Sequence, residues 1–236
     1  MSVRTIQTLD AWQGEAECKT CSIRDSVLFA KLDESLFEKL HHPIEQVCLS
    51  TGSTLYRAGQ TGNHLYTLRQ GLVKLVQYLP DGSQRIVRIA RDTDLIGLES
   101  LLGQPYQHDA ICLQPCEFCS LPVEVIKRMA GECPDLQNEL LNRWQRALSE
   151  ADAWLTELST GSARQRVARL LLRLARQNKE HLCYLFSRED MGSMLGVTTE
   201  TASRTIAEFK RQKLLVDSGK GCYSCDLEGL QRLAED

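Results

Sequence analysis

The chain has 236 residues, 42% hydrophobic and 25% charged, with a formal net charge of −3. That is ordinary globular composition, with room for one large or two modest domains, each with its own core. No apolar run approaches the ~20 residues of a membrane span, and no basic segment leads into a hydrophobic one at the N-terminus. A membrane partner and a signal peptide are therefore not expected, and the cytoplasm is the expected compartment. There, the ten cysteines are expected to serve metal binding, redox sensing or burial rather than a disulfide framework.

Residues 1–17 have no convincing periodicity and are expected to pack loosely. Cys18-Lys19-Thr20-Cys21 follows. Two thiolates three apart can converge on one soft metal, but a lone pair fits a redox dithiol, half a metal site or coincidence equally well. Residues 26–40 carry Leu28, Phe29, Leu32, Leu36, Phe37 and Leu40 and read as a loop into a short amphipathic helix.

From about Val47 the texture changes to short alternating or apolar runs at 55–59, 64–68 and 73–79. Pro80-Asp81-Gly82-Ser83 is a hairpin signal, followed by a strand at 85–90 and further strands at 110–113 and 118–121. Many short strands punctuated by glycines predict an antiparallel barrel or jelly roll. Within it, Gln114-Pro115 reads as a turn that places Cys116 near its tip and Cys119 on the next strand. Cys116 and Cys119 form a second CxxC, and two such pairs suit a tetrathiolate site better than one. Cys48, Cys112, Cys133 and Cys183 read as core positions, and Cys222 with Cys225 as a structural pair.

Residues 134–158 predict one long helix. Leu140, Trp144, Ala147, Ala151, Trp154 and Leu158 recur at coiled-coil spacing, predicting the seam of a parallel homodimer. Leu141, Leu148 and Leu155 would then widen the apolar face towards the chain's own barrel. Ser159-Thr160-Gly161 reads as a hinge into a basic helix at 163–176. The stretch Gly161 to Cys225 holds 12 Lys+Arg against 6 Asp+Glu, so a basic C-terminal third sits on an acidic body.

Residues 186–211 predict two short helices around a glycine turn. Ser187 caps the first, Met191, Met194 and Leu195 give its apolar face, and Gly196 stops it. Thr198 caps the second, which would bury Ala202, Ile206 and Phe209 and present Thr199, Glu200, Ser203 and Arg204. Polar residues leading a second helix suit base-edge reading in double-stranded DNA; an ordinary αα-hairpin is the competing reading. Residues 214–224 then read as a β-wing, with Lys220 placed for a phosphate. No nucleophile–base set, phosphate loop or carboxylate pair stands out, and the five histidines are scattered, so an enzyme is not expected.

This order of parts resembles the Crp/Fnr family of bacterial transcription regulators, over nearly the whole chain. Glu200-Thr201-Ala202-Ser203-Arg204 has the E-x-x-S-R arrangement of the Fnr branch. The resemblance implies an α+β architecture. An N-terminal segment (1–30) would precede a cyclic-nucleotide-binding-like β jelly-roll sensor (31–133). A dimerisation helix and hinge (134–160) and a winged helix-turn-helix (161–236) would follow. It also implies that Glu200 accepts from a cytosine amino group, Arg204 donates to guanine and Ser203 meets a thymine, in a palindromic TTGAT-type site, with RNA polymerase as a partner. Fnr-type sensors hold a [4Fe–4S] cluster. Cys18, Cys21 and Cys119 match three of its ligands, while Ser26 or Val27 stands where another N-terminal cysteine would fall. Cys116 is the favoured fourth ligand, with Cys112 or Asp25 as alternatives. Zinc, a cluster-free Cys18/Cys21 dithiol, and a small organic or haem effector in the barrel are the competing sensors. Residues 97–110 lack the Gly-Glu and Arg-Ser/Thr pair that would hold a cyclic phosphate, and His108 does not replace a bidentate Arg.

Overall fold

The computed structural model describes residues 2–6, 28, 44–176, 182–219 and 222–235. They fall into two compact units, one of residues 1–77 and 87–149, the other of residues 78–86 and 150–236. Among the described residues no helix is long and apolar enough to cross a membrane.

The first unit is built on strands β1 (Ser2–Ile6), β2 (Ile44–Leu49), β3 (Thr54–Tyr56), β4 (His64–Gln70), β5 (Val73–Tyr78), β6 (Gln84–Ala90), β7 (Leu95–Ile96), β8 (Asp109–Cys112) and β9 (Cys116–Pro122), of which Tyr78 of β5 and residues 84–86 of β6 fall in the second unit. They form a five-stranded sheet, β1-β2-β9-β4-β7, and a four-stranded sheet, β3-β8-β5-β6. Alternation explains the pairing of the two faces. Val47, Leu68 and Phe118 of one sheet meet Val73, Leu75 and Ala110 of the other in one buried cluster. Residues 1–17 were expected to be loosely packed, but β1 lies at the sheet edge, antiparallel to β2 with Val3 opposite Val47. Its SVRTI run is β-prone, yet too short to announce itself by periodicity. The helix expected within 26–40 lies outside the described residues, apart from Leu28.

The outer face of the five-stranded sheet is covered by helix α1 (Val123–Glu132) and the start of α2 (Pro134–Leu158). Leu65 and Leu121 join Leu28, Val125, Ile126, Met129, Leu136 and Leu140 in a second buried cluster. Helix α1 was not anticipated; its VEVIK start continues the apolar texture of β9 with no cap residue to separate them, Pro122 standing at its N-cap.

Helix α2 has the expected bounds, and part of its expected seam is covered by its own chain. Leu140, Trp154 and Leu158 are buried within the chain itself, and Trp144, Ala147 and Ala151 are half-buried. The exposed apolar residues are Leu141, Leu148 and Leu155, at 60, 55 and 64%. They lie roughly a quarter-turn round from the buried stripe. Spacing alone cannot say which edge of the long apolar face turns inward.

The second unit contains α3 (Ala163–Arg176), β10 (Leu182–Tyr184), α4 (Arg188–Leu195), α5 (Thr199–Arg211), β11 (Leu215–Gly219), β12 (Cys222–Cys225) and α6 (Leu227–Glu235). The strands form a three-stranded antiparallel sheet in the order β10-β12-β11. Helix α3 buries Val167, Ala168, Leu170, Leu171, Leu172 and Ala175. Its Arg169 is a brace. Nε and Nη2 donate to Ala234 O at 3.0 and 2.8 Å, and Nη1 donates to Thr160 O at 2.9 Å and Glu157 O at 3.2 Å. These carbonyls end α6 and α2, where a cation is favoured by the helix dipole. The segment expected as a hinge, 159–161, is therefore held by its own unit.

Candidate nucleic-acid interface and sensor cysteines

The helix pair α4–α5 owes its geometry to its caps. Ser187 Oγ accepts from Asp190 N at 3.0 Å, and Thr198 Oγ1 accepts from Thr201 N at 3.1 Å. Each satisfies a donor that the helix start leaves open. Gly196 ends α4 at φ +63°, a conformation open to glycine with little cost. Gly192 is a requirement the sequence did not announce: a Cβ there would lie 2.7 Å from Val197 O, which closes the turn. Met191, Met194 and Leu195 of α4 and Ala202, Ile206 and Phe209 of α5 are all buried, as the spacing predicts.

That burial leaves Thr199, Glu200, Ser203 and Arg204 exposed on the leading turns of α5. Arg204 donates to Glu200 across one turn, both side chains more than two-thirds exposed. A carboxylate, a hydroxyl and a guanidinium thus stand on one ledge, offering acceptor, dual and fork-shaped donor chemistry to base edges. Beside it, Lys210 Nζ lies 4.2 Å from the ring centre of Tyr223 on β12 and donates to its hydroxyl at 2.8 Å. This contact fixes the wing strand to the end of the reading helix. Lys220 lies outside the described residues.

The sensor candidates divide by strand parity. Positions 116 and 119 are an odd number apart on the regular stretch of β9 that pairs with β2, so their side chains leave opposite faces. Cys116 is buried with Cys112 in the cluster between the sheets, whereas Cys119 packs against the outer cluster containing Leu28, Leu136 and Leu140. Cys116 and Cys112 therefore do not fit a ligand sphere shared with Cys119, and the expected second CxxC is not a chelating pair. Among the described residues no group of three or more His, Cys, Asp or Glu is placed to hold a metal. Cys18, Cys21 and Asp25 lie outside them.

The barrel interior is occupied by aromatic side chains. Tyr56 and Tyr106 stack at 3.9 Å between ring centres, each 4% exposed, and Tyr106 Oη donates to His64 O at 2.7 Å. Burial pushes both phenols above their ordinary range. In the 97–110 segment Glu99 Oε1 accepts from Gln107 N at 3.0 Å, and Asp109 Oδ1 accepts from Ala58 N, outside the segment, at 2.8 Å.

Residues 46–132 match the family described as cyclic nucleotide-binding domain, and residues 165–233 match the Crp-like helix-turn-helix domain. The fumarate and nitrate reduction regulatory protein of Escherichia coli K12 is 25% identical over 238 residues, covering 98% of this chain and 95% of that one. The anaerobic regulatory protein of Haemophilus influenzae is 25% identical over 223 residues, covering 92% and 87%. Among solved structures, FixK2 from Bradyrhizobium japonicum superposes with a TM-score of 0.73 at 24% identity, over 80% of this chain and 96% of that one. A Crp-family transcriptional regulator from Thermus thermophilus gives 0.70 at 25% identity, over 80% and 97%. A jelly-roll first unit, a capped helix pair with a polar leading ledge and a paired wing strand agree with these matches along the chain, which belongs to the Crp/Fnr family of DNA-binding transcription regulators.

Proposed function

We propose that the protein works as a homodimer on a palindromic TTGAT-type site and that oxygen or redox state sets its DNA affinity through a [4Fe–4S] cluster. The ledge of Glu200, Ser203 and Arg204 at the start of the doubly capped helix pair carries the DNA part. Glu200 accepts from cytosine N4, Arg204 donates to guanine O6 and N7, and Ser203 meets a thymine. Thr199 and Lys220 contribute backbone contacts that set register. The dimer seam runs along Leu141, Trp144, Leu148, Ala151 and Leu155, a 3-4-3-4 spacing that uses the exposed leucines.

For the sensor, the ligand set is Cys18, Cys21 and Cys119, completed by Asp25. Cys119 supports this reading because it faces the cluster that holds Leu28 from the N-terminal segment. The same cluster contains Leu136 and Leu140, so a ligand at Cys119 adjoins the first turns of α2. Bound there, the cluster would supply an oxygen-labile centre whose loss repacks that start of the helix. A population shift of 1–3 kcal/mol would change DNA affinity from several-fold to about a hundred-fold. The barrel-effector alternative has less support, since Tyr56 and Tyr106 stack, buried, within the barrel.

Anaerobic purification tests this. The protein should show visible absorbance that air bleaches, with DNA binding falling in step, and Cys18→Ala or Cys119→Ala should abolish the absorbance while Cys116→Ala keeps it. Colourless anaerobic protein with stoichiometric zinc would refute the cluster.

A further inference from the structure

The three cysteines of the second unit take no part in that reading, yet two of them touch. Cys183 on β10 and Cys225 on β12 are 2 and 7% exposed, with their sulfurs 3.1 Å apart. The register explains the meeting. Cys183 stands opposite Tyr223, so Cys225, two residues further along β12, is its diagonal neighbour on the same face. Burial of a small hydrophobe accounts for either thiol alone; it does not account for sulfur meeting sulfur. Among the described residues no third ligand joins them in a metal-holding group. A hydrogen bond from Cys183 lowers the Cys225 thiol below its ordinary range, while the same contact and burial raise Cys183. One sulfur of the touching pair can attack and the other resolve.

We infer that Cys183 and Cys225 form a reversible intramolecular disulfide under peroxide-class oxidants, clamping the sheet beneath the helix-turn-helix. The chemistry balances with hydrogen peroxide as the two-electron oxidant. The Cys225 thiolate attacks one peroxide oxygen, the O–O bond breaks, and hydroxide leaves to take up a proton as water. The Cys183 sulfur then displaces hydroxide from the sulfenic acid, forming the S–S bond and a second water. Two thiols and one peroxide become one disulfide and two waters. The sulfurs must close from 3.1 Å to the ~2.05 Å of the bond.

The position gives the bond its effect. Strand β10 leads through residues 185–187 to Ser187, the cap of α4, and β12 leads through Asp226 into α6. Fixing β10 to β12 secures the strand that launches the helix pair. This clamp is separate from Cys18, Cys21 and Cys119 and does not rest on the cluster.

The experiment treats the full reduced chain with hydrogen peroxide, alkylates the remaining thiols, and maps tryptic peptides without reductant. The Cys183 peptide should be found joined to the peptide of Cys222 and Cys225. The link should vanish with dithiothreitol and in Cys225→Ser, and persist in Cys222→Ser and in Cys18→Ala. Hydrogen exchange at 182–184 and 222–225 should slow several-fold in the oxidised protein and not in peroxide-treated Cys225→Ser. If the serine variant does not fold, oxidised and reduced wild type are compared alone. Cys183 and Cys225 both alkylated, or overoxidised without the link, would overturn the inference; a link with unchanged exchange would overturn the clamp.

Discussion

Without DNA, Glu200 and Arg204 satisfy one another across one turn of α5, so engaging bases first gives up an exposed i,i+4 ion pair of ~0.3–0.5 kcal/mol. On the proposed contacts, each side chain would gain more from a base edge than it gives up. Glu200→Ala or Arg204→Ala should each weaken binding by ~1–3 kcal/mol and relax specificity at one base pair per half-site, measured by competition with single-substituted operators. A uniform loss over all sequences would place these residues on phosphates. His108 makes a pH prediction. Burial lowers its pKa, opposed by Glu99 and aided by Arg88. A base whose folded pKa lies below its unfolded value binds more protons when unfolded, so stability is present above about 6.5 and lost as pH falls through the lowered value. Melting curves should show a steeper decline on that acid side than in His108→Gln. At this scale the caps and the reading ledge were legible, because each follows from local hydrogen-bonding rules. Gly192 was not, since its need arises from Val197 five residues on. Nor was the separation of Cys116 from Cys119, which the CxxC pattern obscured until strand parity was known.

Among the elements, α2, α3 and the helix pair were read from spacing, and the barrel from its short strands and turns. What escaped were elements defined by partners: β1 at the sheet edge, the two-residue β7, α1, and β10 as third strand of the wing sheet. The apolar face of α2 is the instructive case. Both flanks carry apolar residues at heptad-like spacing, and only the fold decides which one its own chain covers. Leu148 is 55% exposed in the single chain. Leu148→Glu should therefore cost the dimer about 3 kcal/mol or more, counting one lost leucine burial from each copy. Analytical ultracentrifugation should report monomer, while circular dichroism reports an intact fold. A loss of fold instead would mean that Leu148 is covered within its own chain.

Over the whole molecule, the acidic body and basic C-terminal third correspond to the cyclic nucleotide-binding-domain match and the helix-turn-helix match, and the net charge of −3 conceals that division. The boundary between the two compact units falls within α2, between Ser149 and Glu150, rather than at Ser159-Thr160-Gly161. Arg169 explains why. By gathering carbonyls from the ends of α2 and α6 it makes the last turns of the long helix part of the reading unit. Leu155, on the proposed seam, belongs to those same turns. On the proposed pairing, the register would act as a ruler with little slack. A slip of one heptad would shift one partner by ~10 Å along the helix, a large fraction of the ~34 Å that separates successive major-groove faces. On that proposal, the spacing of the DNA half-sites would be built into the side chains of α2.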